Sequence, residues 1–177
     1  IIDKEKPYLI VGSPMCRAFS QIMTMNKNRD PEAYEQKVIE GIRHLRFCAK
    51  QYVKQVQGGR YFLHEHPDRA WSWKLDFLME LSEMEGVSRV TGHQCCFGQQ
   101  TVDFDGELGL VLKPTGWMSN SECILEEVSR RCENEDLPRS EWHAHVHLVG
   151  SAKTRAAQNY PPALVAAILR GLKAQLK

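Results

Sequence analysis

Apolar positions along the chain follow two rhythms, short runs and stripes at helical spacing. Tyr8-Leu9-Ile10-Val11 is a short apolar run stopped by Gly12-Ser13-Pro14, which predicts a buried parallel strand opening into a loop. Asp30-Pro31-Glu32 combines an N-cap, a proline at the first helical position and an acid in the first turn, a helix start. Tyr34, Val38, Ile42, Leu45, Ala49, Tyr52 and Val56 recur at steps of three or four before Gly58-Gly59. They predict one long amphipathic helix stopped by the glycines. Tyr61-Phe62-Leu63 reads as the next strand, breaking at His64-Glu65-His66-Pro67. Trp71 to Glu85 reads as a helix with Leu75, Leu78 and Leu81 on one face, and Val87 to Val90 as a short strand. Leu108 to Leu112 and Trp117-Met118 are extended, Ser121 opens a helix, and Pro161-Pro162 opens the last one.

The order strand, loop, helix, strand, loop, helix implies an α/β fold, a parallel sheet with helices packed against it. Reactive groups in such sheets gather at the carboxyl ends of strands. Cys16 and Glu65 each sit just past a strand, one crossover helix apart. Neighbouring strands would turn both toward one crevice. No internal repeat or linker divides the 177 residues, so residues 1–177 are expected to form a single domain.

Composition narrows the function classes. A 42% hydrophobic and 25% charged chain can bury a core without disulfides or metal. Net charge is +1, from 23 basic and 22 acidic residues. Nucleic-acid contact must then be local or come from elsewhere, because phosphate neutralisation needs a basic surplus. No apolar run reaches the roughly 18–20 residues of a membrane helix, and the charged N-terminus has no signal core. The missing initiator Met suggests a processed product or a piece of a longer polyprotein. Six cysteines (16, 48, 95, 96, 123, 132) include no CxxC pair, which favours a reducing, intracellular compartment. Cys48 lies on the helical stripe and reads as core filler.

Three groups of residues invite chemistry. Cys16, in a Gly/Pro-bounded turn beside Arg17, reads either as an exposed nucleophile or as a buried small hydrophobe. Glu65 is flanked by His64 and His66, but alternate residues of an extended segment share a face. The two histidines therefore point away from Glu65, against a three-ligand metal site. His143-Ala144-His145-Val146-His147 places three histidines on one face, the outer Cα atoms about 13 Å apart at about 3.3 Å per residue. Two adjacent ones could ligate an ion, but three on a straight strand do not easily converge on one, so a solvent-facing stripe and no metal are expected.

Gly12-Ser13-Pro14-Met15-Cys16-Arg17-Ala18-Phe19-Ser20 closely resembles the nucleophile loop of cytosine-5 DNA methyltransferases, Gly-Gly-Pro-Pro-Cys-Gln-x-Phe-Ser. Met15 replaces the proline before the family's cysteine. Phe62-Leu63-His64-Glu65-His66-Pro67 resembles the family's second signature, an apolar strand leading into Glu-Asn-Val, with Glu65 matching its glutamate. His93-Gln94-Cys95-Cys96-Phe97-Gly98, then Leu112-Lys113-Pro114-Thr115 and Ser119-Asn120, resembles a later segment of variant members from phages and mobile-element polyproteins. Those carry Pro-Cys-x-x-Phe-Ser, His-Glu-His-Pro and Lys-Pro-Thr. The mainstream Gln-x-Arg-x-Arg signature is absent.

The resemblance implies a Rossmann-like methyltransferase sheet, a flipped cytosine as substrate and S-adenosylmethionine as cofactor. Cys16 would attack ring carbon C6 while Glu65 hydrogen-bonds N3. Pro14, Ser20, Tyr160 and Pro161 would line the cofactor pocket, and Arg17, Lys113 and Thr115 would contact DNA. The location implied is intracellular, nuclear in a eukaryotic host. No Gly-x-Gly-x-x-Gly occurs in the chain, so the N-terminal cofactor-binding strands of such a sheet are expected to be missing. A fragment, one half of a split enzyme completed by an upstream segment or partner subunit, and a descendant that lost catalysis all fit. Two further readings are a non-catalytic binding or assembly module and a metal-dependent nuclease using the histidines.

Overall fold

The computed structural model describes residues 2–20, 26–103, 105–146, 148 and 157–177. A short helix α1 (Ile2–Glu5) precedes strand β1 (Leu9–Gly12). The long helix α2 (Pro31–Gln57) then crosses over to β2 (Tyr61–Pro67). Asp30 caps α2 by accepting a hydrogen bond from the Ala33 amide at 3.0 Å, and Gly58 closes its far end on the Lys54 and Gln55 carbonyls. Both ends lie where the cap residues place them.

After β2 come α3 (Asp76–Ser82) and β3 (Ser88–His93). The hairpin strands β4 (Gln100–Val102) and β5 (Leu108–Leu110), then β6 (Pro114–Ser119), follow. Helices α4 (Glu122–Val128) and α5 (Pro162–Gln175) follow among the described residues. Ser121 caps α4 through the Ile124 amide.

The protein is mixed α/β. Its main sheet has the order β1-β2-β6-β3, with β4-β5 as a separate pair. β1 and β2 are parallel neighbours, Gly12 opposite His64. β6 runs antiparallel to both of its neighbours, pairing Glu65 with Trp117 on one side and Val90 with Trp117 on the other. The sheet is thus mixed, not the parallel sheet expected. Two further expectations change. β2 does not break at His64 but continues to Pro67, because β1 and β6 flank it and its polar side chains are buried on both faces. The segment from Trp71 to Glu85 is not one helix. A 3-10 turn (Trp71–Lys74) meets α3 at Leu75, whose extended backbone (φ −73°, ψ 132°) separates them.

Each face of the sheet carries its own core. Phe62 and Met118 point to one face, into a cluster with Phe19, Leu45, Cys48, Ala49, Tyr52, Leu78 and Leu81 from α2, α3 and the loop after β1. Leu63 and Trp117 point to the other face, onto Ile124, Leu125, Val128, Leu164, Ala167 and Ile168 of α4 and α5. Alternation along a strand imposes this division, and burying each large apolar side chain contributes roughly 1.5–3 kcal/mol. Cys48 is core filler, as its stripe predicts. Among the described residues no helix is long and apolar enough to cross a membrane.

Candidate functional site

The loop after β1 is fixed from beneath. Phe19 is fully buried, its ring 4.8 Å from the Trp71 ring and 5.5 Å from that of His66. A side chain at Gly41 of α2 would overlap that ring, so the helix admits Phe19 only because residue 41 is glycine. Gly12 has the same role at the end of β1, since a Cβ there would collide with the Tyr52 hydroxyl. That hydroxyl bonds His64 Nδ1 at 3.1 Å. Cys16 heads a 3-10 turn (Arg17–Phe19) through the Phe19 amide, 3.0 Å from its carbonyl. Anchoring by Ala18 and Phe19 leaves Cys16 half-buried, while Met15 and Arg17 are exposed.

Glu65 lies on the α4–α5 face of the central strand and is 6% exposed. The Ser13 hydroxyl donates to its Oε2. Lys113 Nζ stands 3.6 Å from its Oε1 and donates to the Ala157 carbonyl at 2.8 Å. Lys113 adopts φ 34°, a left-handed conformation uncommon outside glycine that marks local strain. Tyr160 closes the site, its ring edge-on to Trp117 at 5.9 Å. Its buried hydroxyl lies beside Ser13 without a hydrogen bond of normal geometry.

Electrostatics couple these groups. Burial pushes the Cys16 thiol above its ordinary pKa, and the Glu65 charge pushes it the same way, while Lys113 opposes both. Burial and then Glu65 likewise raise the Tyr160 phenol. At rest the site therefore holds a protonated thiol and a protonated phenol beside an acid–lysine pair.

His64 and His66 face away from Glu65, as strand alternation predicts. Their rings stack at 5.6 Å, and His66 Nδ1 bonds Ser72 Oγ at 2.7 Å. Burial holds His64 well below the usual imidazole pKa and lowers His66 to about 4. They are neutral packing groups at neutral pH.

The structure thus brings Cys16, Glu65, Lys113 and Tyr160 into one constellation, to which it adds Ser13. Sequence reasoning passed over Ser13, although its place two residues after the β1 run put a hydroxyl in the same loop. Pro14 is buried beside it. Ser20 Oγ turns back onto the Arg17 carbonyl at 3.1 Å, and Pro161 occupies the N-cap position of α5. Two expected DNA contacts do not match their placement. Thr115 is fully buried, its hydroxyl engaged by Gln94 and the Lys113 carbonyl, and Lys113 is turned inward on Glu65. Arg17 alone of the three is exposed.

A second cluster corrects the reading of the histidines. His143 and His145 bend inward, their Nε2 atoms 2.8 Å apart and 3.4 and 3.7 Å from Cys132 Sγ. With Cys95 they place four ligand-type atoms within 4.8 Å of one another. A segment that is not a straight strand allows this convergence. His147 lies outside the described residues.

No protein-family model matches the chain. A stretch of 130 residues, 72% of the chain, is 25% identical to a 6-phospho-beta-galactosidase of Leptotrichia buccalis. The match covers 24% of that protein, so the chain spans about a quarter of its length. No solved structure matches.

Proposed function

We propose that this chain is the nucleophile-bearing portion of a Rossmann-like, cytosine-5 DNA methyltransferase-related domain, inactive in methyl transfer by itself. One observation carries the reading. The Cys16 loop and Glu65 stand at the carboxyl ends of adjacent parallel strands, close enough for the Glu65 charge to act on the thiol. This is the pairing of nucleophile and carboxylate that addition to a flipped pyrimidine requires.

In this reading the Cys16 sulfur adds to cytosine C6 as its proton passes to the Glu65 carboxylate. Glu65 then hands that proton to N3 as the ring electrons shift. Lys113 and Ser13 hold the carboxylate aimed at the base. Loss of the C5 proton to a base, with expulsion of the Cys16 sulfur as thiolate and return of the N3 proton to Glu65, restores the ring.

S-adenosylmethionine supplies the methyl group in this reaction class, and the residues of this chain do not fit it by themselves. Ser20 turns its hydroxyl onto the Arg17 carbonyl, Pro161 occupies the N-cap position of α5, and no Gly-x-Gly-x-x-Gly is present. We assign that site to a further segment or a partner subunit. Labelled S-adenosylmethionine and DNA test this assignment. The chain alone should transfer no methyl group, and robust transfer abolished by Cys16→Ser would overturn it.

A glycosidase reading, suggested by the name of the 6-phospho-beta-galactosidase, finds no support around Glu65. Two carboxyl groups would have to face each other across the bond cleaved. Among the described residues, the groups seen to bond to or act on Glu65 are Ser13, Lys113, Cys16, Tyr52 and Tyr160, none of them a carboxylate.

The raised Cys16 pKa favours a second reading, a non-catalytic binding or assembly module that kept the fold without the chemistry. Cys16→Ala would then leave its biological activity intact.

A further inference from the structure

We propose that Cys95, Cys132, His143 and His145 bind one structural zinc ion. Cys95 lies in the 3-10 turn Gln94–Phe97 after β3, Cys132 follows α4, and the histidines follow the turn Arg139–Glu141. Zinc holds thiolate sulfur at about 2.3 Å and imidazole nitrogen at about 2.0 Å, so the ligand atoms of a tetrahedral site stand about 3.3–3.8 Å apart. The two Cys132 edges, 3.4 and 3.7 Å, fall in that span, and the His143–His145 edge of 2.8 Å is slightly compressed. Two sulfurs and two nitrogens gathered within 4.8 Å of one another favour zinc over oxygen-seeking ions.

The surroundings are built to hold the ligands. Asn134 clamps the His143 backbone from both sides, its Nδ2 donating to the His143 carbonyl at 2.9 Å and its Oδ1 accepting from the His143 amide at 3.3 Å. The Cys132 amide donates to His93 Nδ1 at 3.0 Å. His145 bridges Leu110 of β5, and the Val146 amide donates to the Leu110 carbonyl at 2.7 Å. A metal here ties together the end of β3, the chain after α4 and the β4–β5 hairpin.

That tie has a structural purpose. From Ser129 to Val146 the described chain forms nothing longer than a 3-10 turn, and so gains little from regular hydrogen bonding. Metal binding supplies folding energy in such segments. Further on, Ala157 and Tyr160 meet Lys113 and the Glu65 site. With all four positions filled by the protein, no coordination site is left for substrate or water. The ion is structural, and a metal-nuclease reading loses its basis.

The test is metal analysis of the protein purified from zinc-supplemented culture. We expect one zinc per chain, lost in Cys132→Ser and in His145→Ala but kept in Cys123→Ser, whose thiol lies outside the cluster. Because ligand variants can fail to fold, the unaltered protein is also stripped with a chelator and titrated with cobalt(II). One equivalent should give the intense visible bands of tetrahedral cobalt with thiolate-to-metal charge transfer, and zinc should bleach them. A folded protein that holds no zinc and gives no such spectrum would overturn the proposal. So would full zinc content in the Cys95→Ser/Cys132→Ser double variant.

Discussion

Glu65 Oε1 lies 3.6 Å from Lys113 Nζ, with the carboxylate nearly buried and the lysine partly so. Removing one member of a buried pair strands the other charge, whereas removing both can be almost neutral. Lys113→Met should therefore cost roughly 2 kcal/mol, below the usual fully buried figure because Lys113 keeps some solvent contact. Adding Glu65→Gln to that variant should recover much of the loss. Denaturant midpoints of the four proteins form the cycle that isolates the coupling. Additive losses would show that the pair does not interact.

Cys16 should be a slow thiol. Burial and the Glu65 charge both favour its protonated form, so alkylation by iodoacetamide at pH 7 should run slower than for a free thiol of ordinary pKa near 8.5. Glu65→Gln removes a like charge and should speed the reaction at that pH, whereas Lys113→Met should slow it further. Peptide-level mass spectrometry separates Cys16 from the other cysteines. A Cys16 faster than a free thiol would refute the charge arrangement described.

The buried histidines set an acid limit. An unfolded histidine takes up a proton near pH 6.5, whereas His66 in the folded chain waits until about pH 4 and His64 also lies well below the ordinary value. Between those limits the unfolded state binds more protons, so stability is fully present above pH 6.5 and falls as the pH drops. Each histidine contributes a slope of up to about 1.4 kcal/mol per pH unit. Urea midpoints between pH 7 and 4.5 should fall steadily, and His66→Gln should make the decline shallower. A flat profile would mean that these rings are solvated.

Local signals marked much of this fold, but direction and burial were beyond them. The bounds of α2 were legible because Asp30 and Gly58 act on their own neighbours. The triplet His64-Glu65-His66 looked like a strand break because polarity usually means solvent. Here Tyr52, Trp73 and Phe19 cover the two rings, and Lys113 and Ser13 satisfy the carboxylate. Periodicity carries no strand direction, so the antiparallel β6 had no signature. Leu75 sits on an apolar stripe whether its backbone is helical or extended, which hid the interruption before α3. The Cys16–Glu65 pairing was readable because one crossover helix joins two parallel neighbours. The Cys95, Cys132, His143 and His145 cluster was not, because its members are spread over fifty residues without a paired-cysteine spacing.

The chemistry assigned to Cys16 leaves a trace that needs no methyl donor. Addition of its sulfur to cytosine C6 makes C5 a carbon that takes up a solvent proton, and expulsion of the sulfur with loss of the original C5 hydrogen restores the ring. In heavy water, a single-stranded oligonucleotide incubated with the protein should exchange cytosine H5 for deuterium. The gain should exceed that of a protein-free control and vanish with Cys16→Ser. Exchange no faster than the control, or exchange that survives Cys16→Ser, would contradict the nucleophile assignment.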